Sequence, residues 1–372
     1  MRDELITCLN FSAPSHIPAE SGAILLAASD QQTQSFIDCR VQGRYDLRRS
    51  VEDVMNASSH DEIEWASCLT NHDAVCFALS RIMATDIGRS LALDIRFEGW
   101  SFDILDEHEQ SEISVHQRII RIALPCSSLK LLSKFTEYKA QFIVTLFESL
   151  RRAWHINSGV PSSNLWAMED YILWQRSVQA DLDVMNIVLA YQDRNASSGE
   201  LWKFILTSSL SSLAVQYASL LEYHDADPFM SDQDEAENCD DHKDILADIY
   251  SAWFQQSNIV HDCDAASLNS LDYSLSNPSS EYSVGQNRVM HEDLLLLSQY
   301  PEGGASYLEW LAFDLVHDDA FRALNNPLLK AHFEHIQADI ELYKFESSNV
   351  IIFRDPMLQK IFQTGFSVDI LG

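Results

Sequence analysis

After Pro125 the apolar residues settle into a helical period and hold it. Leu131, Phe135, Tyr138, Phe142, Leu146, Leu150 and Trp154 recur at spacings of three and four, one stripe over about seven turns. Gly159-Val160-Pro161-Ser162-Ser163 ends it, and a second stripe (Met168, Tyr171, Trp174, Val178, Leu182, Met185, Leu189) runs over about 164–191. Two such stripes in succession must bury each other, and the short loop between them makes the helices antiparallel neighbours. Further helices are expected over 200–221, 243–257, 265–275, 289–299, 305–316 and 327–345. Ahead of Pro125 the period is different. Leu91, Leu93, Ile95 and Phe97 alternate, as do Phe102 with Ile104 and the run Ile119–Ile122, which predicts three short strands between 91 and 124. Before them, helices are expected over 51–57 and 71–87, with Gly88 as a stop.

These patterns predict an α+β fold: helices packed on a small three-stranded antiparallel sheet, followed by a mainly helical C-terminal part. Residues 1–50 show no dominant period. An α+β domain is expected over 51–195 and an acidic helical domain over 196–372, with an acidic loop at 222–242.

Charge narrows the function. Over 372 residues, 25 Lys and Arg stand against 56 Asp and Glu, a formal net charge of −31. The excess lies late in the chain: residues 1–160 hold 15 basic and 22 acidic side chains, and 161–372 hold 10 and 34. A surface this negative repels phosphate backbones, so a nucleic-acid binder is not expected; a protein partner, and a basic one, fits it better. No apolar run approaches the roughly 20 residues of a membrane helix. Met1-Arg2-Asp3-Glu4 places acids where a signal peptide is positive. Seven scattered cysteines without a C-x-x-C read as thiols of a reducing compartment, so a cytoplasmic protein is expected.

Several motifs invite chemistry. Asp240-Asp241-His242-Lys243-Asp244 matches the D-D-x-x-D that holds magnesium against a diphosphate, but the second magnesium motif such enzymes need downstream is missing. Asp225, Asp227, Asp232 and Asp234 could gather a loose cation, without EF-hand spacing. His332 and His335, with Asp339 one turn further, are metal candidates near one helical face. Cys263 sits beside His261, yet Asp264 reads more simply as the N-cap of a helix starting at Ala265. H-E-x-x-H, G-x-S-x-G and the glycine-rich phosphate loops are all absent from the sequence, and no cofactor is expected.

Ser149–His155, Arg176–Val184, Ala252-Trp253-Phe254, Cys263-Asp264 and Gly304–Leu308 together resemble an uncharacterised alphaproteobacterial family of metallopeptidase-domain proteins, zincin-like in fold. Ser149-Leu150-Arg151-Arg152-Ala153-Trp154-His155 is similar to that family's active helix, often Leu-Arg-Asp-x-Trp-Gln; Leu150, Arg151 and Trp154 match, while Arg152 and His155 depart. Arg176–Val184 is similar to its Arg-x-x-Ala-Ala-Asp-x-Asp-Val. Ala252-Trp253-Phe254, Cys263-Asp264 and Gly304–Leu308 resemble later landmarks, so the likeness spans roughly 80–330. The resemblance implies a lost zinc site. The family's first His-Glu would fall on Glu148 and Ser149, the second His on Arg152, and a downstream glutamate on Gln179. Glu148 and His155 are then the remaining catalytic candidates, too few for the usual three protein ligands.

Where relatives hold zinc, Arg151 and Arg152 could instead pair with Asp181 and Asp183, a permanent charge replacing the ion. The expectation is a bacterial pseudoenzyme that binds a partner. Two alternatives remain open: an active metal-dependent peptidase or hydrolase with a non-standard ligand set, and an acidic helical interaction module unrelated to peptidases.

Overall fold

Short polar side chains start the helices of the N-terminal half. Asp46 accepts from the Arg49 amide, Thr85 from Gly88 and Ser128 from Leu131, while Thr70 and Asp73 exchange the reciprocal bonds of a capping box. Each supplies an acceptor to a first-turn N–H that has none within the helix. The computed structural model describes residues 6–8, 44–57, 70–109, 111–161, 166–196, 199–225, 235–276, 283–284, 287–301, 304–342 and 350–351. The chain divides into two compact units: Glu4–Trp154 with Gln192–Phe204, and His155–Tyr191 with Ile205–Gly372 and Met1–Asp3.

The first unit carries strands β1 (Ile6–Cys8), β2 (Tyr45–Asp46), β3 (Ser101–Leu105), β4 (Glu112–Ser114) and β5 (Ile119–Ala123). Its helices are α1 (Leu47–Asn56), α2 (Asn71–Met83), α3 (Asp86–Ile95), α4 (Leu129–Lys134) and most of α5 (Thr136–Asn157). The sheet runs β1-β4-β5-β3-β2 and is mixed, not a three-stranded antiparallel meander. β5 lies between β3 and β4, parallel to β3 (Phe102 opposite Ile120) and antiparallel to β4 (Ile113 opposite Ile120). The connection from β3 carries β4 past the place where β5 then inserts. Phe102, Ile113, Ile120 and Ile122 are buried in the core.

The expected first strand, Leu91–Phe97, is mostly helix. Ile87, Leu91 and Ile95 are buried at spacings of four, whereas Phe97 is 62% exposed. Four alternating apolar residues had a second, helical solution, and the Thr85 cap selects it. Gly88 accordingly lies inside α3 rather than ending α2. A Cβ there would sit 2.2 Å from the Ile82 carbonyl oxygen, so this close approach of two helical turns requires glycine. Further along, the buried Asp193 carboxylate takes Arg81 at 2.7 Å.

The second unit is helical: α6 (Met168–Ala196, its last turn in the first unit), α7 (Glu200–Leu206, all but its last two residues likewise in the first unit), α8 (Ser211–Asp225), α9 (Glu235–Gln255), α10 (Ser257–Ser276), α11 (His291–Leu297), α12 (Ala312–His317) and α13 (Pro327–Leu342). Two short strands, β6 (Ser283–Val284) and β7 (Val350–Ile351), pair antiparallel. The helix expected over 200–221 is two helices, because Ser208 turns the chain by bonding the Ile205 carbonyl and the Leu210 amide. The expected acidic loop is helical at both ends, since α8 reaches Asp225 and α9 begins at Glu235; residues 226–234 lie outside the described residues. Met168, Tyr171 and Ile172 of α6 pack against Leu268 and Leu271 of α10 and Ile336 of α13. Among the described residues, no helix is long and apolar enough to cross a membrane.

Candidate functional site: a buried charge network in the second unit

Polar residues at positions 176, 179 and 183 recur along one side of α6 at spacings of three and four, and Ser177 and Asp181 lie beside them four apart. Arg176, Ser177, Asp181 and Asp183 are buried, and burial without partners would cost several kcal/mol per charge. The partners come from distant parts of the same unit. Arg176 meets Asp264 of α10 as a fork, Nε to Oδ1 and Nη2 to Oδ2, both at 2.7 Å. Its remaining donors reach the carbonyls of Phe321 (2.6 Å) and Ala323 (3.0 Å). Burial pushes the Asp264 carboxyl above the ordinary carboxylate value, and the Arg176 hydrogen bond offsets only part of that rise. Asp264 is therefore no N-cap: α10 begins at Ser257, and the carboxylate points from mid-helix into this fork.

Asp181 is engaged on both oxygens. The Tyr307 hydroxyl donates to Oδ1 at 2.7 Å, and His155 Nε2 lies 3.1 Å from Oδ2. The same His155 nitrogen is 3.1 Å from the Leu297 carbonyl oxygen. A nitrogen placed between two acceptors carries the proton, so Nε2 has no lone pair to offer a metal. Asp183 is held likewise, by Gln179 Nε2 at 2.9 Å and by the Trp253 indole N–H at 2.7 Å. One turn away the Tyr250 hydroxyl donates to the Ser177 carbonyl, and burial raises its pKa.

Of the residues expected at a site, Asp181 and Asp183 are thus each held by buried partners of the second unit, His155 being one of those of Asp181. Glu148, Arg151 and Arg152 belong to the first unit. There Glu148 and Arg151 are buried, and the Arg151 guanidinium sits 4.5 Å from the Trp154 ring centre. His332 faces Asp272 at 3.3 Å and His335 is exposed; the side chain of Asp339 lies outside the described residues. His242 of the D-D-x-x-D match turns to the Tyr217 hydroxyl at 3.0 Å, and the side chains of Asp240 and Asp241 lie outside the described residues, as do those of Asp225, Asp227, Asp232 and Asp234. Burial and the neighbouring Asp264 push the Cys263 thiol up to about 12, far from a nucleophilic thiolate at neutral pH.

The partners Tyr307, Trp253 and Arg176 lie in segments that the sequence already singles out, but nothing in the sequence says which acid each would meet. Beside the network lies a cleft of about 560 Å³. Asp170 and Arg322 form part of its wall, 3.2 Å apart, and Glu169, Arg288, Lys330 and Glu334 bring both signs of charge to it. Asp170 also accepts from the Val289 amide. Arg322 stands between the two carbonyls that Arg176 grips, so the buried fork sets the position of this wall. No protein-family model, curated protein or solved structure matches this chain.

Proposed function

We propose that the protein is a non-catalytic binding protein, of metallopeptidase-like ancestry, whose former reaction centre has become a structural lock. One observation carries the reading: His155 Nε2 is held between Asp181 and the Leu297 carbonyl, so the nitrogen of the histidine nearest the eroded motif that faces the carboxylate serves as a donor to the protein. Support for the ancestry comes from three buried pairs along α6, Arg176 with Asp264, Asp183 with Trp253 and Asp181 with Tyr307, all within the segments that resemble that family. The strongly acidic character of residues 161–372 favours a basic protein partner.

Two measurements test this. Zinc-supplemented protein incubated with unfolded casein is expected to leave it intact; hydrolysis that disappears in His155→Ala would overturn the non-catalytic reading. A fluorescent oligolysine peptide is expected to bind at about 50 mM salt and to weaken at about 300 mM. No binding at the lower salt removes the basic partner.

A further inference from the structure

The first unit holds a different constellation, independent of the network above. Asp53 lies on α1, and His72 and Cys76 lie one turn apart in the first half of α2. His72 Nε2 is 3.3 Å from Asp53 Oδ2 and 3.6 Å from Cys76 Sγ. The three donor atoms lie within 4.8 Å of one another, and among the described residues no other group of three or more His, Cys, Asp or Glu does so.

A tetrahedral zinc with ordinary bond lengths sets its nitrogen and oxygen ligands about 3.3–3.4 Å apart and its nitrogen and sulfur about 3.6 Å apart. The separations of Asp53 and Cys76 from His72 Nε2 are of that size. Cys76 Sγ also lies 3.9 Å from His72 Nδ1, off the Nε2 lone-pair axis, so the thiol turns about its Cα–Cβ bond to meet an ion held at Nε2.

The frame around the trio is rigid. Tyr45 stacks on the His72 ring, centres 5.0 Å apart and planes 24° apart, which fixes the ring's direction. The Thr70–Asp73 capping box pins the first turn of α2, and Ala74, Val75 and Leu79 bury its other side. Asp53 is 48% and His72 30% exposed at the side chain, so an ion can enter from solvent.

We propose that Asp53, His72 and Cys76 form a zinc site with three protein ligands, the fourth position being open to water or to a ligand atom of a partner. Thiolate, imidazole and carboxylate together suit a borderline-soft divalent ion rather than magnesium or calcium. Binding forms the sulfur–metal bond as the Cys76 thiol releases its proton to solvent, so affinity rises with pH.

Cobalt(II) is the probe, added to the chelator-treated full-length protein. One equivalent is expected to produce a thiolate-to-cobalt charge-transfer band that zinc then bleaches. Cys76→Ser is expected to abolish the band, and His72→Ala to weaken zinc binding at least tenfold, with far-ultraviolet circular dichroism confirming the fold of each. Should Cys76→Ser misfold, the half-exposed Asp53→Asn serves in its place, and a weaker affinity is expected. No band in the wild-type protein, or a band that survives unchanged in Cys76→Ser or His72→Ala, overturns the proposal. His155→Ala is expected to keep the full metal content, so a failure here is distinct from a failure of the non-catalytic reading.

Discussion

Each unit gathers histidine and aspartate at one place, and the outcomes are opposite. Around His155 and Asp181 the bonds run to donors and acceptors of the protein itself, in near-complete burial. Around His72 and Asp53 the pair stands partly in solvent at a longer separation, with a sulfur alongside. Residue type alone does not separate a lock from a ligand site. The difference is made by whether neighbouring chain segments supply N–H and O–H donors to the carboxylates, as Tyr307 and Trp253 do.

The sharpest way to break the contrast is to strip the fork. Arg176→Ala leaves Asp264 charged and buried and is expected to cost about 3–5 kcal/mol in urea unfolding, while Arg176→Met with Asp264→Leu costs less than either single change. Should the single change cost under about 1 kcal/mol, the fork is not a structural lock. Gly88→Ala is expected next, at about 1–3 kcal/mol or more, because the new methyl group meets the Ile82 carbonyl. Trp253→Phe keeps the ring but removes the N–H given to Asp183, a loss of about 1–3 kcal/mol read from the thermal midpoint.

The smallest effect concerns His242, which burial holds below the ordinary histidine value, against Tyr217 and Tyr300. The unfolded chain takes up a proton as pH falls through about 6.5 while the native imidazole stays neutral, so stability is lost from there down to the native pKa. Wild type is expected to lose more stability than His242→Gln between about pH 7.5 and about pH 5; equal losses would contradict this.

The long helices α5 and α6 were legible because five apolar positions in α5 and seven in α6 hold a 3–4 spacing, too many for chance. Even there, Ser128 caps a separate short helix and Phe135 stands 45% exposed at the break, which a stripe does not reveal. Leu91–Phe97 was misread because few residues fit two periods, and a single threonine cap decided between them. The sheet's mixed order was not legible, since pairing depends on which strand arrives between two others. At the network, the acids of α6 could be named but not their partners, which lie 70 and 126 residues away. His72 and Cys76 sit one turn apart in plain view, yet only the packing of α1 on α2 brings Asp53 to them.

Arg176 grips a helix with one side of its guanidinium and two loop carbonyls with the other. The loop bearing Arg322 is thereby cast in place before any visitor arrives. A guest that fits this mould sacrifices little freedom of the host on docking, so its dwell time is governed by shape and charge match rather than by a closing motion.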